Sequence, residues 1–135
     1  MSKTLDMKIF TCEGFQCNLK NIVGLLDEAG WSITDGDGKI SVWNEADSEW
    51  EIYNGTLDDF FLETNYDRFF AYNGLKIIIV YTNGCDSFGI IPDGYIQKII
   101  YDDREYFDYN WYYLHFIPAF NREDVVVERV IFDEY

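Results

Sequence analysis

The side chains best suited to nucleophilic or general-base chemistry here are a single histidine, His115, and three cysteines, Cys12, Cys17 and Cys85. His115 lies between Leu114 and Phe116 in a stretch that reads as a strand. That makes it a core or cross-strand histidine, not a base held over a substrate. Nothing local brings a cysteine to it. The cysteines are odd in number and fit no metal-ligand spacing, and no nucleophile elbow, P-loop or dinucleotide fingerprint occurs. Asp35 and Asp37 suggest a calcium loop, but Lys39 and Ile40 occupy its fifth and sixth positions, the sixth being where an EF-hand needs glycine. A glycine-rich turn is the better reading. The 25 acids offer so many carboxylate pairs that none singles out a two-acid hydrolase. The chain reads as a non-enzyme with no cofactor and no metal.

What remains is the close mixing of acids and aromatics. Tyr101 to Tyr113 holds four carboxylates, one arginine and seven aromatic rings in thirteen residues. Aromatics normally go inside and carboxylates outside, so such a segment belongs at a boundary. Interface cores favour Tyr and Trp, and complementary charge speeds encounter. Asp102, Asp103, Glu105 and Asp108, beside Tyr106, Tyr109 and Trp111, therefore form the first candidate partner-binding set. Glu45, Asp47, Glu49 and Glu51 form the second. Carboxylates at every other position would all project from one face of an extended chain, about 6.6 Å apart.

The formal charge is −15, from 25 acids against 10 bases. A field of that sign repels nucleic acid and anionic membranes and attracts a basic protein. The cysteines read as reduced thiols, no apolar signal segment follows Met1, and no apolar run is long enough to span a membrane, so a cytoplasmic location is expected. Apolar residues make up 48% of 135, enough for one domain with its own core.

The elements that would position these residues follow from periodicity. Met7 to Thr11 reads as a strand. Asn18 caps a helix whose apolar stripe is Leu19, Ile22, Val23, Leu26 and Ala29, with Gly30 as its stop. Trp31 to Thr34 and Lys39 to Trp43 read as a hairpin around Asp35-Gly-Asp-Gly38. Thr56 caps a shorter helix with Leu57, Phe60 and Phe61 inward. Asn73-Gly74 joins two strands, of which Leu75 to Tyr81 is central. Turns at Asn83-Gly84 and Pro92-Asp-Gly94 bound Phe88 to Ile91, and Tyr95 to Tyr101 reads as a strand or a turn or two of helix. A long strand is expected from Tyr109 to Ile117, ending before Pro118, and a last one from Val125 to Phe132. The fold class is α+β: a bent, mainly antiparallel sheet with one or two helices packed on one face.

In size, acidity, thiol content, α+β pattern and lack of catalytic motif, the chain resembles the immunity proteins of bacterial toxin systems, including those of contact-dependent inhibition. The resemblance is one of type across the whole chain and carries no motif. It implies stoichiometric inhibition of a basic toxin domain, such as a nuclease, by shape and charge. A phage-type decoy imitating nucleic acid, of the anti-CRISPR or anti-restriction kind, is the alternative, with Glu45 to Glu51 standing in for phosphates. An acid-pair hydrolase comes third.

Overall fold

Leu5, Met7 and Ile9 are buried on one side of the first strand, and Asp6, Lys8 and Phe10 alternate on the other. The strand belongs to a seven-stranded antiparallel sheet in the computed structural model, which describes residues 3–63 and 66–135. The strands are β1 (Leu5–Thr11), β2 (Ser41–Asn44), β3 (Glu49–Ile52), β4 (Arg68–Asn73), β5 (Lys76–Thr82), β6 (Ser87–Pro92) and, after a separate hairpin, β9 (Val127–Glu134). Their order is β3-β2-β4-β5-β6-β1-β9, which puts β5 in the middle as the β-branched run predicted. The hairpin consists of β7 (Lys98–Tyr101) and β8 (Arg104–Phe107). The α+β class expected from sequence is the one observed.

One face of the sheet is covered. Helix α1 (Leu19–Glu28) buries Leu19, Ile22, Val23, Leu25 and Leu26. Asn18 caps it as predicted, its side-chain oxygen accepting from the Asn21 N–H at 2.9 Å. Gly30, at φ +93°, lets the chain turn back into Trp31, which joins the core. The short α2 (Leu57–Phe61) begins with a capping box between Thr56 and Asp59 and buries Phe60 against Phe69.

Three expectations are corrected. Tyr109 to Ile117 is not a strand: α3 (Tyr109–Trp111) runs on into a π-helical turn (Tyr112–Phe116) and a 3-10 turn (Ile117–Phe120). Tyr112, Phe116 and Phe120 are all buried, four residues apart, so the segment obeys helical spacing even though its dense aromatics also satisfy alternation. His115 therefore leaves the core and lies exposed, 5.5 Å from the Trp111 ring. The hairpin expected around Asp35 shrinks to a single Thr34–Ile40 bridge, because the Asp35 carboxylate accepts from the Asp37 and Lys39 N–H groups and closes a local turn instead. The turn after β4 slips by one residue. Asn73 pairs with Lys76, so Gly74 (φ +63°) and Leu75 are its central residues, a glycine-first turn in place of Asn-Gly.

The uncovered face is held by one polar cluster. Tyr81 on β5 pairs with Gly89 on β6, and its ring lies across the glycine to reach β1. Its hydroxyl donates to the Asp6 carboxylate, 2.7 and 2.8 Å from the two oxygens, and the Tyr135 hydroxyl donates to the same group at 3.0 Å. Asp6 is only 4% exposed, so these donors replace its lost water. A Cβ at Gly89 would sit 1.9 Å from the Tyr81 ring. Gly89→Ala should therefore evict Tyr81, strand Asp6, and cost about 3 kcal/mol or more in urea unfolding. A loss under about 1 kcal/mol would mean that the ring moves aside freely.

Candidate functional site

The first acidic set falls on the β7–β8 hairpin and on the turn that leaves it. Lys98 pairs with Phe107, Ile99 with Tyr106, Ile100 with Glu105 and Tyr101 with Arg104. Asp102 and Asp103 are the two central residues of the connection, at φ +54° and +62°. Two successive left-handed residues make the tight hairpin turn that matches strand twist, and aspartate tolerates that region better than most residues. The first half of the acid- and aromatic-rich segment is thus a two-stranded ribbon with acids at its tip.

A two-stranded ribbon is marginal by itself, and this one is fixed at its base. Phe107 enters the core, and the Asp108 N–H donates to the Gln97 carbonyl at 3.0 Å. Tyr112, fully buried, donates its hydroxyl to the Tyr95 carbonyl at 2.7 Å and accepts from the Gln97 N–H at 2.8 Å. Burial pushes the Tyr112 phenol up to about 12.

Beyond the base the ribbon is exposed. Ile100 is 75% accessible and Tyr101 73%, and Ile99 and Tyr106 are exposed beside them. Among the described residues fourteen large apolar side chains are exposed, and eight of them lie between Ile96 and Leu114. Scattered exposed apolars are ordinary, but this density on one short segment marks a surface made for contact. Ile99, Ile100 and Leu114 are not legible as surface in the sequence, because isoleucine and leucine in a presumed strand look like core.

The candidate residues divide by role. Asp102, Asp103, Glu105 and Tyr106 are exposed on the ribbon. Glu105 pairs with Lys98 at 3.4 Å, and three acids against two bases (Lys98, Arg104) leave the ribbon with net −1. Its pull on a basic partner therefore comes from the two aspartates at the tip and from the −15 of the whole chain. Asp108 is a helix cap, its carboxylate accepting from the Trp111 N–H at 3.0 Å. Trp111 is half-buried between Tyr95 and Tyr112. Tyr109 packs on Phe132 at 5.1 Å, and burial followed by the nearby Glu134 carboxylate pushes its phenol up to about 12. These three shape the base of the ribbon more than its contact surface.

The second set does not form a row. Glu45 to Ser48 is the turn between β2 and β3, with Ser48 at φ +51°. Glu45 accepts from the Trp43 indole N–H at 2.6 Å, while Asp47, Glu49 and Glu51 gather with their oxygens within 4.8 Å of one another. The Asn44 amide donates to Asp47 and to Glu51, each at 3.2 Å, and the Tyr66 hydroxyl donates to Glu51 at 2.8 Å. Neutral donors hold Asp47 and Glu51 in place. Nor do the two sets adjoin. The ribbon faces Lys3 and Glu134, beside β9, across a cleft of about 280 Å³. β3 and β9 are opposite edges of the sheet, six strand spacings or about 29 Å apart.

No protein-family model, curated protein or solved structure matches this chain. Among the described residues no helix is long and apolar enough to cross a membrane. Cys12, Cys17 and Cys85 are all free thiols, and burial raises that of Cys17.

Two outcomes follow from the ribbon's geometry. Asp103→Gly relieves a left-handed non-glycine residue and should slow amide exchange in β7 and β8, a gain of about 0.5–1 kcal/mol; unchanged exchange would mean that the turn is unstrained. The Tyr112 phenol titrates near 10 when unfolded and about 12 when folded. Its contribution is full below pH 10 and lost as pH rises through 12, so stability should fall in that window by about 1.4 kcal/mol per pH unit for each such tyrosine. Tyr112→Phe should flatten that slope in alkaline urea titrations and cost about 1–3 kcal/mol at neutral pH, because the Gln97 N–H loses its acceptor.

Proposed function

We propose that this protein is a non-enzymatic binding protein of the immunity type, acting in the cytosol to neutralise a basic toxin domain, such as a nuclease. The observation that carries the reading is the β7–β8 ribbon: Ile99, Ile100, Tyr101 and Tyr106 exposed behind an Asp102-Asp103 tip. An apolar ribbon with an acidic tip fits a cleft whose rim is lysine- and arginine-rich. The rings and isoleucines displace water inside the cleft, and the aspartates pair with the rim. The negative charge of the whole chain supplies steering toward such a partner. The nucleic-acid decoy reading lacks its row of carboxylates, since the chain turns at Glu45 to Ser48. Among the described residues the acid-pair hydrolase has the Asp47, Glu49 and Glu51 trio, of which Asp47 and Glu51 are already bonded to Asn44 and Tyr66.

The test is binding to the basic toxin domain encoded beside this gene, and protection of cells that express that domain. Replacing Asp102 and Asp103 with Asn and Glu105 with Gln should slow association about tenfold at low salt. Replacing Ile100 and Tyr101 with Ser should instead speed dissociation and abolish protection. Unchanged kinetics in both variants, or a partner with an acidic contact surface, would sink the proposal.

A further inference from the structure

The face of the sheet turned away from the helices carries an apolar layer of its own. Trp43, Trp50, Phe70, Tyr72, Ile79 and Ile91 are each half-buried, and none belongs to the core beneath the helices or packs against it. They shelter one another, with the Trp43 and Trp50 rings 5.4 Å apart and Trp50 and Phe70 4.1 Å apart. Sheet faces of this composition usually have a covering layer.

The face is electrically unlike the rest of the molecule. Lys8, Arg68 and Arg129 stand on it against Asp6, Asp133 and Glu45, a net of zero on a chain of −15. It is also bipolar. The β1–β9 end presents Arg129, its guanidinium 4.2 Å over the Phe10 ring, and Lys8, paired with Asp133 at 3.5 Å. At the β2–β3 end stands Glu45, exposed and bonded to Trp43.

We infer that this face binds a second copy of the chain, sheet against sheet. Two such acidic chains repel everywhere except across a face with few acids, and this is that face. The strand order is also symmetric about β5, with three strands on each side. A two-fold axis along β5 lays β2 and β3 of one copy over β1 and β9 of the other. The registers Val42–Phe69, Arg68–Tyr81, Tyr81–Gly89, Lys8–Gly89 and Phe10–Arg129 then set Trp43 at the level of Lys8, and Glu45 at the level of Phe10 and Arg129. Each end meets its charge complement twice. Six strand spacings by the length of β5 give on the order of 600 Å² per copy, about 1,200 Å² in all, the lower edge of a stable interface. The ribbon, rooted in the core through Phe107, lies on the helix side of the sheet and stays free, so the dimer would present two.

Sedimentation of the full chain at micromolar concentration and physiological salt tests this. The expected species has twice the 16.0 kDa chain mass. Phe70→Lys should give a monomer that still melts cooperatively. Because that variant also touches packing, a surface-charge exchange makes the decision. Glu45→Arg and Arg129→Glu should each weaken the dimer about tenfold, through two symmetry-related pairs, and the double exchange should restore it. A monomeric wild type, a dimer indifferent to Phe70→Lys, or a double exchange no better than the singles would overturn the inference.

Discussion

The sheet depends on a tyrosine lying across a missing side chain. Tyr81 passes over Gly89 to reach Asp6, joining β5, β6 and β1 on the face that no helix covers. Helix packing holds the other face by burial, but burial alone does not decide the register of neighbouring strands. A buried carboxylate does, because a slip of one residue would carry it to the wrong side with its donors left behind. Burial and the adjacent carboxylate raise the Tyr81 phenol, so it keeps its proton and stays a donor. Arg68, 5.2 Å over the ring, adds a cation that extends the contact to β4.

Around this frame the chain separates its charges by place. Acids collect at the β2–β3 edge and at the ribbon tip, while Lys8, Arg68 and Arg129 stand on the bare face. Such segregation limits self-repulsion within any one region while leaving a long-range negative field. It also gives the molecule two unlike contact surfaces, a narrow apolar ribbon tipped with acid and a broad aromatic sheet face near neutrality. Asp47, Glu49 and Glu51 gather at one turn, where neutral donors hold Asp47 and Glu51, so their proximity is a property of the turn that gathers them.

Much of the fold was legible where local chemistry has a single reading. Asn18 and Thr56 cap helices because their oxygens suit the first free N–H groups. The β-branched run of β5 took the sheet centre. The misreadings share a cause. Tyr109 to Ile117 has rings at both period two and period four, and alternation looked sufficient until Asp108 capped a helix and Tyr112, Phe116 and Phe120 turned inward together. Asn73-Gly74 marks a turn but not its phase, since glycine can serve as its first or second central residue. The ribbon was half legible. Its acids stood out, but Ile99 and Ile100 did not, because exposure of an isoleucine is not written in its neighbours.

The sequence by itself determined the class, the caps, the sheet centre and the sign of the molecule's field. Each of these rests on a residue's own chemistry or on its near neighbours along the chain. Only the tertiary structure decided that Tyr101 to Tyr106 projects, that Glu45 parts from Asp47, Glu49 and Glu51, and that the two acidic sets stand at opposite edges. Those are statements about which side a residue faces and what lies across from it. They depend on strand order and on a contact between residues 75 positions apart, Asp6 and Tyr81, and no local pattern records such a contact.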